Sequence, residues 1–325
     1  MSKCEVMKVA VCVATRGRPQ MLAHALRSLT RMVRPPAVEL VFAVIENDFA
    51  PRSRAVVEAM RPSFDGSELH YLVEESVGIP VARNRAIDFA EQISAHVLAF
   101  IDDDEVVDGG WLVELVSAYQ ASGALLLGGP VLAAAAPKGA VLKQKFVHSA
   151  LARRYLRKMK RARRLSMTGR DARVTITTGN WLGSTELFTH HGLRFNEQMR
   201  FSGGSDAAFF AEVRERGLPV KWVPTAVVYE TIPGERLDTG YQFRRALDQS
   251  TTSFHRKLRK SKLHALSLIV TLPLRALAVA VLAVAIIPTG GLTYLPALRG
   301  AGWMAGRIAA VCGRESTLYA QITGN

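Results

Sequence analysis

The chain has 325 residues and a formal net charge of +14, from 42 Lys and Arg against 28 Asp and Glu. Hydrophobic residues make up 49% and charged residues 22%, a balance that excludes wholesale disorder. Residues 1–130 hold 12 basic and 17 acidic side chains, whereas residues 131–325 hold 30 and 11. Bulk charge therefore argues against a nucleic-acid-binding surface on the first part and predicts an anionic partner for the second.

Three cysteines, Cys4, Cys12 and Cys312, are too few for a disulfide framework and are not spaced as metal ligands. This usage predicts a reducing compartment. The first apolar run, residues 9–14, has the length of one strand and no small-residue cleavage site behind it. We therefore expect no signal peptide.

Over the first 130 residues, short apolar runs alternate with segments of helical spacing. This alternation predicts a mostly parallel sheet with helices on both faces, which binds ligands beyond the carboxyl ends of its strands. The predicted strands are residues 9–14, 38–45, 69–73, 97–101 and 125–132, and the predicted helices are residues 18–34, 51–60, 80–93 and 109–119.

The next part of the chain changes in composition. Residues 153–164 carry eight basic side chains and lack a wide apolar face, so we predict a mobile or surface-bound helical segment. Gly217 and Pro219 then separate a helix from a predicted strand, residues 220–228. A polar, helix-compatible connector that ends in a basic run precedes the C-terminal part.

The C-terminal part is apolar. Residues 263–287 carry one Lys or Arg, Arg275, in 25 positions, and about 20 apolar residues can span a bilayer. A second stretch, residues 292–311, is interrupted by Arg299 and Arg307 but is rich in small residues. Basic residues just ahead of the first stretch favour an anionic membrane surface. We predict a membrane-associated hairpin, with a buried soluble hairpin as the alternative.

The most informative run is the apolar segment 97–101, which ends in Asp102, Asp103, Asp104 and Glu105. Adjacent carboxylates raise one another's pKa, so the arrangement is costly without a cation. Along an extended chain Asp102 and Asp104 point to one side and Asp103 to the other. Two such carboxylates suit Mg²⁺ or Mn²⁺ held together with substrate phosphates. The alternative is a solvated acidic turn that leads into a helix.

Five blocks in order resemble the inverting glycosyltransferases of family 2, of the exopolysaccharide and cell-surface glycan type. They cover about residues 8–245 and read VAVCVATRGRP, LVFAVIENDF, VGIPVARNRAIDFA, FIDDDE, and TGNWLGS followed by LRFNEQMRFSGGSDAAFF. The resemblance implies an α/β GT-A (Rossmann-like) fold, a mostly parallel sheet with flanking helices. The apolar C-terminal stretches predict, in addition to this fold, a helical segment that associates with the membrane.

The resemblance also implies a donor site for a nucleotide-sugar. Asp104 and Asp102 would hold a divalent metal, Mg²⁺ or Mn²⁺, that neutralises the leaving diphosphate. The alternatives are a helix cap for Thr15 and a structural salt bridge from Arg83 to Glu74 or Glu75. The implied donor-binding residues are Thr15, Arg18, Glu46, Asp48, Arg83, Asn84, Asp102 and Asp103.

On the acceptor side, Asp206 matches the position of the family's catalytic acid block and would act as general base. A plain helix N-cap is its alternative role. Asn180 and Trp181 would contact the acceptor, although Trp181 could instead fill the core. Arg244 and Arg245, which follow Tyr241-Gln242, distantly resemble the Gln-x-x-Arg-Trp motif of processive members and would reach the diphosphate. The Trp of that motif is missing here, which argues against processive polymer synthesis.

The sequence therefore predicts a hexosyltransferase of polysaccharide biosynthesis at the cytoplasmic face of the cell membrane. Its acceptor would be a lipid-linked or cell-surface glycan, and it would bind no nucleic acid. A sugar-phosphate nucleotidyltransferase and a non-enzymatic basic protein that binds membrane or nucleic acid are the alternatives. The predicted units are residues 1–130 for the nucleotide-sugar half, 131–235 for the acceptor and catalytic half, 236–262 for the basic connector and 263–325 for the membrane hairpin.

Overall fold

A computed structural model describes residues 6–200 and 203–314 of the chain. Cys4, residues 201–202 within the last resemblance block, and the end of the predicted hairpin, residues 315–325, lie outside the described residues.

Ten strands and ten α-helices make up the described part of the chain. The strands are β1 Met7–Thr15, β2 Val38–Glu46, β3 Glu68–Val73, β4 Val97–Asp102, β5 Glu105–Val107, β6 Leu126–Gly128, β7 Val131–Ala133, β8 Trp181–Ser184, β9 Val220–Trp222 and β10 Val228–Glu230. The helices are α1 Pro19–Arg31, α2 Arg54–Met60, α3 Ile79–Gln92, α4 Trp111–Ser122, α5 Leu142–Met167, α6 Glu186–Thr189, α7 Ser205–Glu215, α8 Thr239–Lys260, α9 Ser267–Val284 and α10 Tyr294–Val311.

Seven strands form the main sheet in the order β3-β2-β1-β4-β8-β6-β9. Strands β1 to β4 are mutually parallel, and β8 runs antiparallel between β4 and β6. The strands predicted at residues 9–14, 38–45, 69–73 and 97–101 are confirmed as β1 to β4. The runs in β1, β2 and β4 are apolar throughout because both faces of these strands are covered. Since β8 and β9 join this sheet, the first and second predicted units share one core.

Helices cover both faces of the sheet. Side chains of β1 alternate between the faces: Val9, Val11 and Val13 pack with α1, α2 and α4, whereas Ala10 and Cys12 pack with α3, α6 and α7. Every one of these five residues is at most 1% exposed, so the apolar run is buried in both directions. The three-layer arrangement leaves the carboxyl ends of β1 and β4 adjacent at one edge.

Two predicted strands are each split in the structure. The predicted strand at residues 125–132 breaks at Gly129-Pro130 into β6 and β7, which belong to different sheets. Pro130 has no N–H to donate, and a Cβ on Gly129 would lie 2.0 Å from the Ala226 carbonyl oxygen. Residues 220–228 likewise give β9 and the start of β10. The prediction of single strands at both places is wrong, because the chain crosses from one sheet to the other there.

A second sheet, in the order β5-β10-β7, lies beside the edge of the main sheet at which β4 ends. Its pairing sets Glu105 opposite Glu230. The basic run at residues 153–164 belongs to α5, whose residues Val147 and Leu151 pack in a small core with Leu295 of α10. The run is therefore part of a docked helix rather than an isolated surface arm.

The two apolar C-terminal stretches differ in their packing. Helix α10 packs along α8, with Gly302 against the Phe243 carbonyl and Gly306 against the Leu247 carbonyl. The described part of the chain has one helix long and apolar enough to cross a membrane, Lys262–Val284, with mean hydropathy 2.2 and no buried residue. The hairpin thus attaches through α10, and α9, which contacts α10 through Arg275 and Trp303, keeps its large apolar side chains exposed.

We expect Gly306→Ala to loosen the docking of α10. The added Cβ would lie 2.2 Å from a backbone oxygen of α8, so the two helices must separate. Overpacking of this kind costs about 1–3 kcal/mol, which outweighs the gain of about 1 kcal/mol in helix propensity. A lower unfolding midpoint of the detergent-solubilised chain measures the effect. The exposed Ile308, changed to Ala, is the control on the same helix; equal midpoints for the two variants would contradict the expectation.

Candidate functional site

A cavity of about 590 Å³ opens beyond the carboxyl ends of β1 and β4. Its walls come from β1, β4, α3, α5, α7 and α8, so both halves of the sequence contribute. Basic side chains outnumber acidic ones along it, as an anionic ligand requires. The charged lining residues are Arg16, Arg18, Arg83, Arg154, Lys158, Arg200, Arg236 and Arg245, with Asp102, Asp104, Glu105, Asp206 and Glu230.

The acidic turn after β4 is held by one arginine from the loop after β1. Arg18 pairs with Asp103 at 2.5 Å and with Asp104 at 3.2 Å, and the Thr15 hydroxyl donates to Asp103 at 2.7 Å. Asp102 and Asp104 line the cavity, whereas Asp103 is 1% exposed and does not. Asp103 thus fixes the turn, and Thr15 holds Asp103 rather than capping α1.

Arg236, which the sequence analysis did not single out, is the second cation on this turn. Its guanidinium donates to Asp104 at 2.9 Å and lies 3.8 Å from Glu230. Burial raises the cost of charge on Asp104, but Arg236 and Arg18 outweigh it and hold the pKa of that carboxyl below its ordinary value. Asp102 lacks such a clamp, and burial raises its pKa to about 6 despite Arg83.

Arg83 of α3 joins the acidic turn to the first turn of α7. Its guanidinium donates to Asp206 and to the Ser205 hydroxyl at 3.3 Å, and it lies 3.6 Å from Asp102. Among the described residues, no salt bridge links Arg83 to Glu74 or Glu75, its alternative partners. Arg83 is 4% exposed, and Asp102 and Asp206 are two of the groups that its guanidinium contacts. The bridge thus joins Asp102 and Asp206 through different nitrogens of one guanidinium.

Glu46 is placed at the carboxyl end of β2 but does not line the cavity. It is fully buried, and its carboxylate accepts from the Arg52 and Ser53 amides at 2.9 Å, from the Ser53 hydroxyl at 3.0 Å and from the Tyr71 hydroxyl. Asp48 lies 3.9 Å from Arg16 and accepts from the Ala50 amide, also off the cavity wall. Their predicted donor contacts stay predictions, and Glu46 orders the 52–53 loop.

Asn84 and Asn180 fix backbone rather than line the cavity. Asn84 donates to the Phe195 carbonyl and accepts from its amide, which ties α3 to the chain before α7. Asn180 donates to the carbonyls of Pro130 and Ala226 and accepts from Trp111 at 2.8 Å. With every polar atom engaged, Asn180 has a structural role, and its neighbour Gly179 lines the cavity instead.

Trp181 is 1% exposed and packs among Phe100, Phe195 and Phe209. It fills the core, which was the alternative to an acceptor contact. We expect Trp181→Ala to cost about 3–5 kcal/mol of stability, as large truncations in cores do. Its indole nitrogen has no hydrogen-bond partner among the described residues, so Trp181→Phe removes no bond. The Phe variant should keep its activity, and its unfolding midpoint is measured to show that it is folded. A Phe variant that is folded but inactive would favour the acceptor contact over the core role.

The donor set of the acidic turn fits a hard divalent cation. Within residues 6–200 and 203–314, no three His, Cys, Asp or Glu side chains are grouped to hold a metal alone. Asp102 and Asp104 nevertheless both face the cavity, and Mg²⁺ is commonly bound by one or two carboxylates with substrate phosphates completing its shell. Asp102, which is about one-third exposed and only loosely paired with Arg83, is the more accessible of the two.

The chain is similar to proteins of known family and structure. Residues 7–259 match a family model described as glycosyltransferase like family 2. The chain is also 31% identical over 262 residues to the succinoglycan biosynthesis protein ExoM of Rhizobium meliloti (strain 1021). That match covers 81% of this chain and 78% of the relative.

Two solved structures share the fold. The mannosyltransferase PcManGT from Pyrobaculum calidifontis, in complex with GDP-Man and Mn²⁺, gives a TM-score of 0.59 at 18% identity over 94% of this chain and 86% of that one. S. aureus TarS 1-349 in complex with UDP-GlcNAc gives 0.52 at 15% identity over 95% and 93%. At these identities the similarity concerns the fold, and the predicted α/β GT-A architecture is confirmed.

Proposed function

This chain is a member of glycosyltransferase family 2, and from that premise we propose that it transfers a sugar from a nucleotide-sugar to a hydroxyl of a lipid-linked or cell-surface glycan. A UDP-sugar is the first candidate donor. The observation that carries the proposal is the bridge from Arg83 to Asp102 and Asp206. Asp102, at the end of a strand, is placed to bind the donor, and Asp206 is a second carboxylate that lines the same cavity.

Asp206 is the proposed general base. It lies in the first turn of α7, lines the cavity and is partly exposed there, so an acceptor hydroxyl can reach it. As the acceptor oxygen attacks the anomeric carbon, its proton passes to the Asp206 carboxylate and the bond to the donor diphosphate breaks. Displacement from the face opposite the leaving group inverts the anomeric centre, and no covalent enzyme intermediate is needed.

The leaving diphosphate carries the charge that must be stabilised. Arg18 and Arg236 hold Asp104 at the acidic turn, so cationic side chains already surround the position proposed for the phosphates. Mg²⁺ or Mn²⁺ bound by Asp102 and Asp104 would supply further charge neutralisation to that leaving group. Arg83 positions both Asp102 and Asp206, so one guanidinium fixes the donor-side carboxylate relative to the acceptor-side carboxylate.

We propose that α9 attaches the enzyme to the cytoplasmic face of the cell membrane. Its large apolar side chains are exposed along the helix, and basic residues of α8 precede it, as is typical of a segment at an anionic cytoplasmic leaflet. A lipid-linked acceptor would then be presented at the same surface. The exposed apolar residues of α9 and of the chain on either side of it are Leu263, Leu266, Ile269, Val270, Leu274, Leu277, Val281, Val284 and Ile287.

We expect the double variant Leu274→Glu, Leu277→Glu to lose membrane binding. Both side chains are more than 60% exposed, and a carboxylate in place of each costs about 2–3 kcal/mol in an apolar layer. Flotation with phosphatidylglycerol-containing vesicles should fall at least about 100-fold. The control is Val33→Glu, an equally exposed apolar site away from α9. A wild-type chain that fails to float would contradict the membrane proposal.

The proposed transfer is tested on membranes from a host that expresses the full chain. Labelled nucleotide-sugars are supplied one at a time with Mn²⁺, and label is measured in the organic-extractable lipid fraction. One donor should label the lipid fraction, and Asp206→Asn should abolish the signal at equal protein level. Label from no donor, or label that persists in the variant, would refute the proposed reaction.

A further inference from the structure

Helices α8 and α10 run parallel, side by side. Gly302 of α10 lies against the Phe243 carbonyl of α8, and one turn further along both helices Gly306 lies against the Leu247 carbonyl. Helix α8 belongs to the enzyme body, because Gln249 of this helix lines the cavity. It also carries too many charges to lie in hydrocarbon. Its charged side chains include Arg244, Arg245, Asp248, Arg256, Lys257 and Arg259.

Helix α9 runs back along α10 in the opposite direction. A Cβ added at Gly300 would lie 2.6 Å from Val279, and the Arg275 guanidinium lies 5.1 Å from the ring centre of Trp303. The contact on α10 therefore moves towards the C-terminus as the contact on α9 moves towards the N-terminus. Helix α10 packs on both of the others and thus lies between α9 and the polar α8.

Both ends of α9 are attached to the enzyme body. Residues 261–266 connect its start to the end of α8. Beyond its end, Gly291 lies against the Phe146 ring of α5, and the Tyr294 ring lies 6.4 Å from the same ring. Leu295 then enters the small core of α5, where it is 2% exposed. A helix that spans a bilayer has its ends on opposite sides, so a spanning α9 would have to carry part of the enzyme body across.

Two stripes of side chains run along α9 at helical spacing. The stripe of Arg275 and Val279 faces α10 and includes the one charged residue of the helix. The side of α9 away from α10 offers lipid a continuous apolar surface, as a helix in a membrane interface does. Each residue of this second stripe is at least 60% exposed, and the stripe consists of Val270, Leu274, Leu277, Val281 and Val284.

The charge around the hairpin suits an anionic leaflet. Residues 249–314 contain nine Lys or Arg and no Asp or Glu. Basic side chains close to the start of α9 strengthen the binding of an inserted apolar stripe to anionic lipid. A second copy of the chain would instead bring the same positive charge to α9, which disfavours a protein partner of that kind. The exposed basic residues near this start are Arg256, Lys257, Arg259 and Lys262.

We propose that α9 lies in the plane of one leaflet of an anionic bilayer and does not cross it. Its exposed stripe enters the acyl chains, and α10 separates it from α8 on the aqueous side. This inference rests on the proposed membrane attachment and specifies its geometry. Arg245 and Gln249 of α8 line the cavity, so the helices that meet the lipid also hold one cavity wall at a fixed height over the leaflet.

Nitroxide labels on the exposed stripe measure the depth of α9 in phosphatidylglycerol-containing vesicles. The labelled full-chain variants are Val270→Cys, Leu277→Cys and Val284→Cys, and power saturation with oxygen and a water-soluble nickel complex gives the depth of each label. For the in-plane helix, all three labels should lie about 5–10 Å below the phosphates. A spanning helix rises about 1.5 Å per residue, so the label at Leu277 would lie about 10 Å deeper than the other two.

The labels need a chain in which the other reactive thiols are removed. Each variant therefore also carries Cys4→Ser and Cys312→Ser, whereas Cys12 is fully buried and stays. The matched control is Val33→Cys, which is exposed to a similar degree away from α9. Its label should stay fully accessible to the nickel complex when vesicles are present. Unfolding midpoints close to that of the unlabelled chain show that the labels leave the fold intact.

Two depth results would overturn the in-plane arrangement. One is a profile with its maximum at Leu277, which indicates a spanning helix. The other is a set of labels that stay out of the lipid and couple to those of a second chain. A chain that does not bind the vesicles would overturn both the inference and the proposed attachment. The proposed reaction fails differently, by the absence of sugar transfer from every donor, and the depths are measured without donor.

Discussion

Asp206→Asn is expected to lower sugar transfer by about 10²- to 10⁴-fold, the range that a positioned general base contributes. The amide keeps the size of the carboxyl group and an oxygen that can accept from Arg83. It cannot take the proton of the acceptor hydroxyl. Donor affinity should therefore stay within a few-fold of wild type, and the loss should fall on the turnover of the bound complex. Initial rates at saturating donor, with donor binding measured separately, make this distinction.

The matched control for Asp206→Asn is Glu212→Gln on the same helix. Glu212 is exposed and pairs with Arg216 one turn later, so its neutral form should transfer sugar at the wild-type rate. If Asp206→Asn were fully active, Asp206 would be a helix-terminal residue bound to Arg83, and another base would have to be sought along the cavity.

Asp104→Asn is expected to remove metal-dependent donor binding and to destabilise the fold by about 3 kcal/mol, as the loss of one partner of a buried charge pair does. Asp104 accepts from Arg18 and Arg236, and both guanidiniums are largely buried. The variant removes the nearer of the two carboxylates that Arg236 faces, Asp104 and Glu230, and takes one carboxylate from the cavity. Thermal unfolding and titration with UDP and Mn²⁺ report the two effects independently.

Asp103→Asn is the matched control for Asp104→Asn, because it separates stability from donor binding. Asp103 is also buried and paired with Arg18, but it does not face the cavity. Its variant should lose stability to a similar degree and still bind UDP with Mn²⁺. Equal loss of donor binding in the two variants would mean that the shape of the turn, rather than the Asp104 carboxylate, supports the donor.

The layered core was predictable from the sequence because its strands are buried on both faces. The runs of β1 and β4 are apolar in both directions, which a surface strand would not be. The acids that follow β4 must then lie at the sheet edge. The prediction that Asp102 and Asp104 share a side agrees with the cavity lining. Both inferences depend only on the spacing of residues that are neighbours along the chain, and a single sequence shows that spacing directly.

Contacts between distant segments were not predictable in the same way. Arg236 reaches Asp104 from 132 positions away, and no local pattern marks it among the other arginines. Glu46 occupies the strand end expected for a donor contact, but Ser53 and Tyr71 surround its carboxylate. Trp181 starts β8, whose two faces are both buried, and which of the two core layers receives the indole depends on the sheet order. Such placements follow from tertiary packing, not from residue type.

We propose that the cavity binds a nucleotide-sugar at the acidic turn. The most direct measurement is binding of UDP-, GDP- and dTDP-sugars to the purified full chain, with and without Mn²⁺, together with slow release of the free nucleoside diphosphate. We expect one donor to bind, more tightly with Mn²⁺, and Asp104→Asn to lose that binding. A folded chain that binds none of these donors in either condition would contradict the claim.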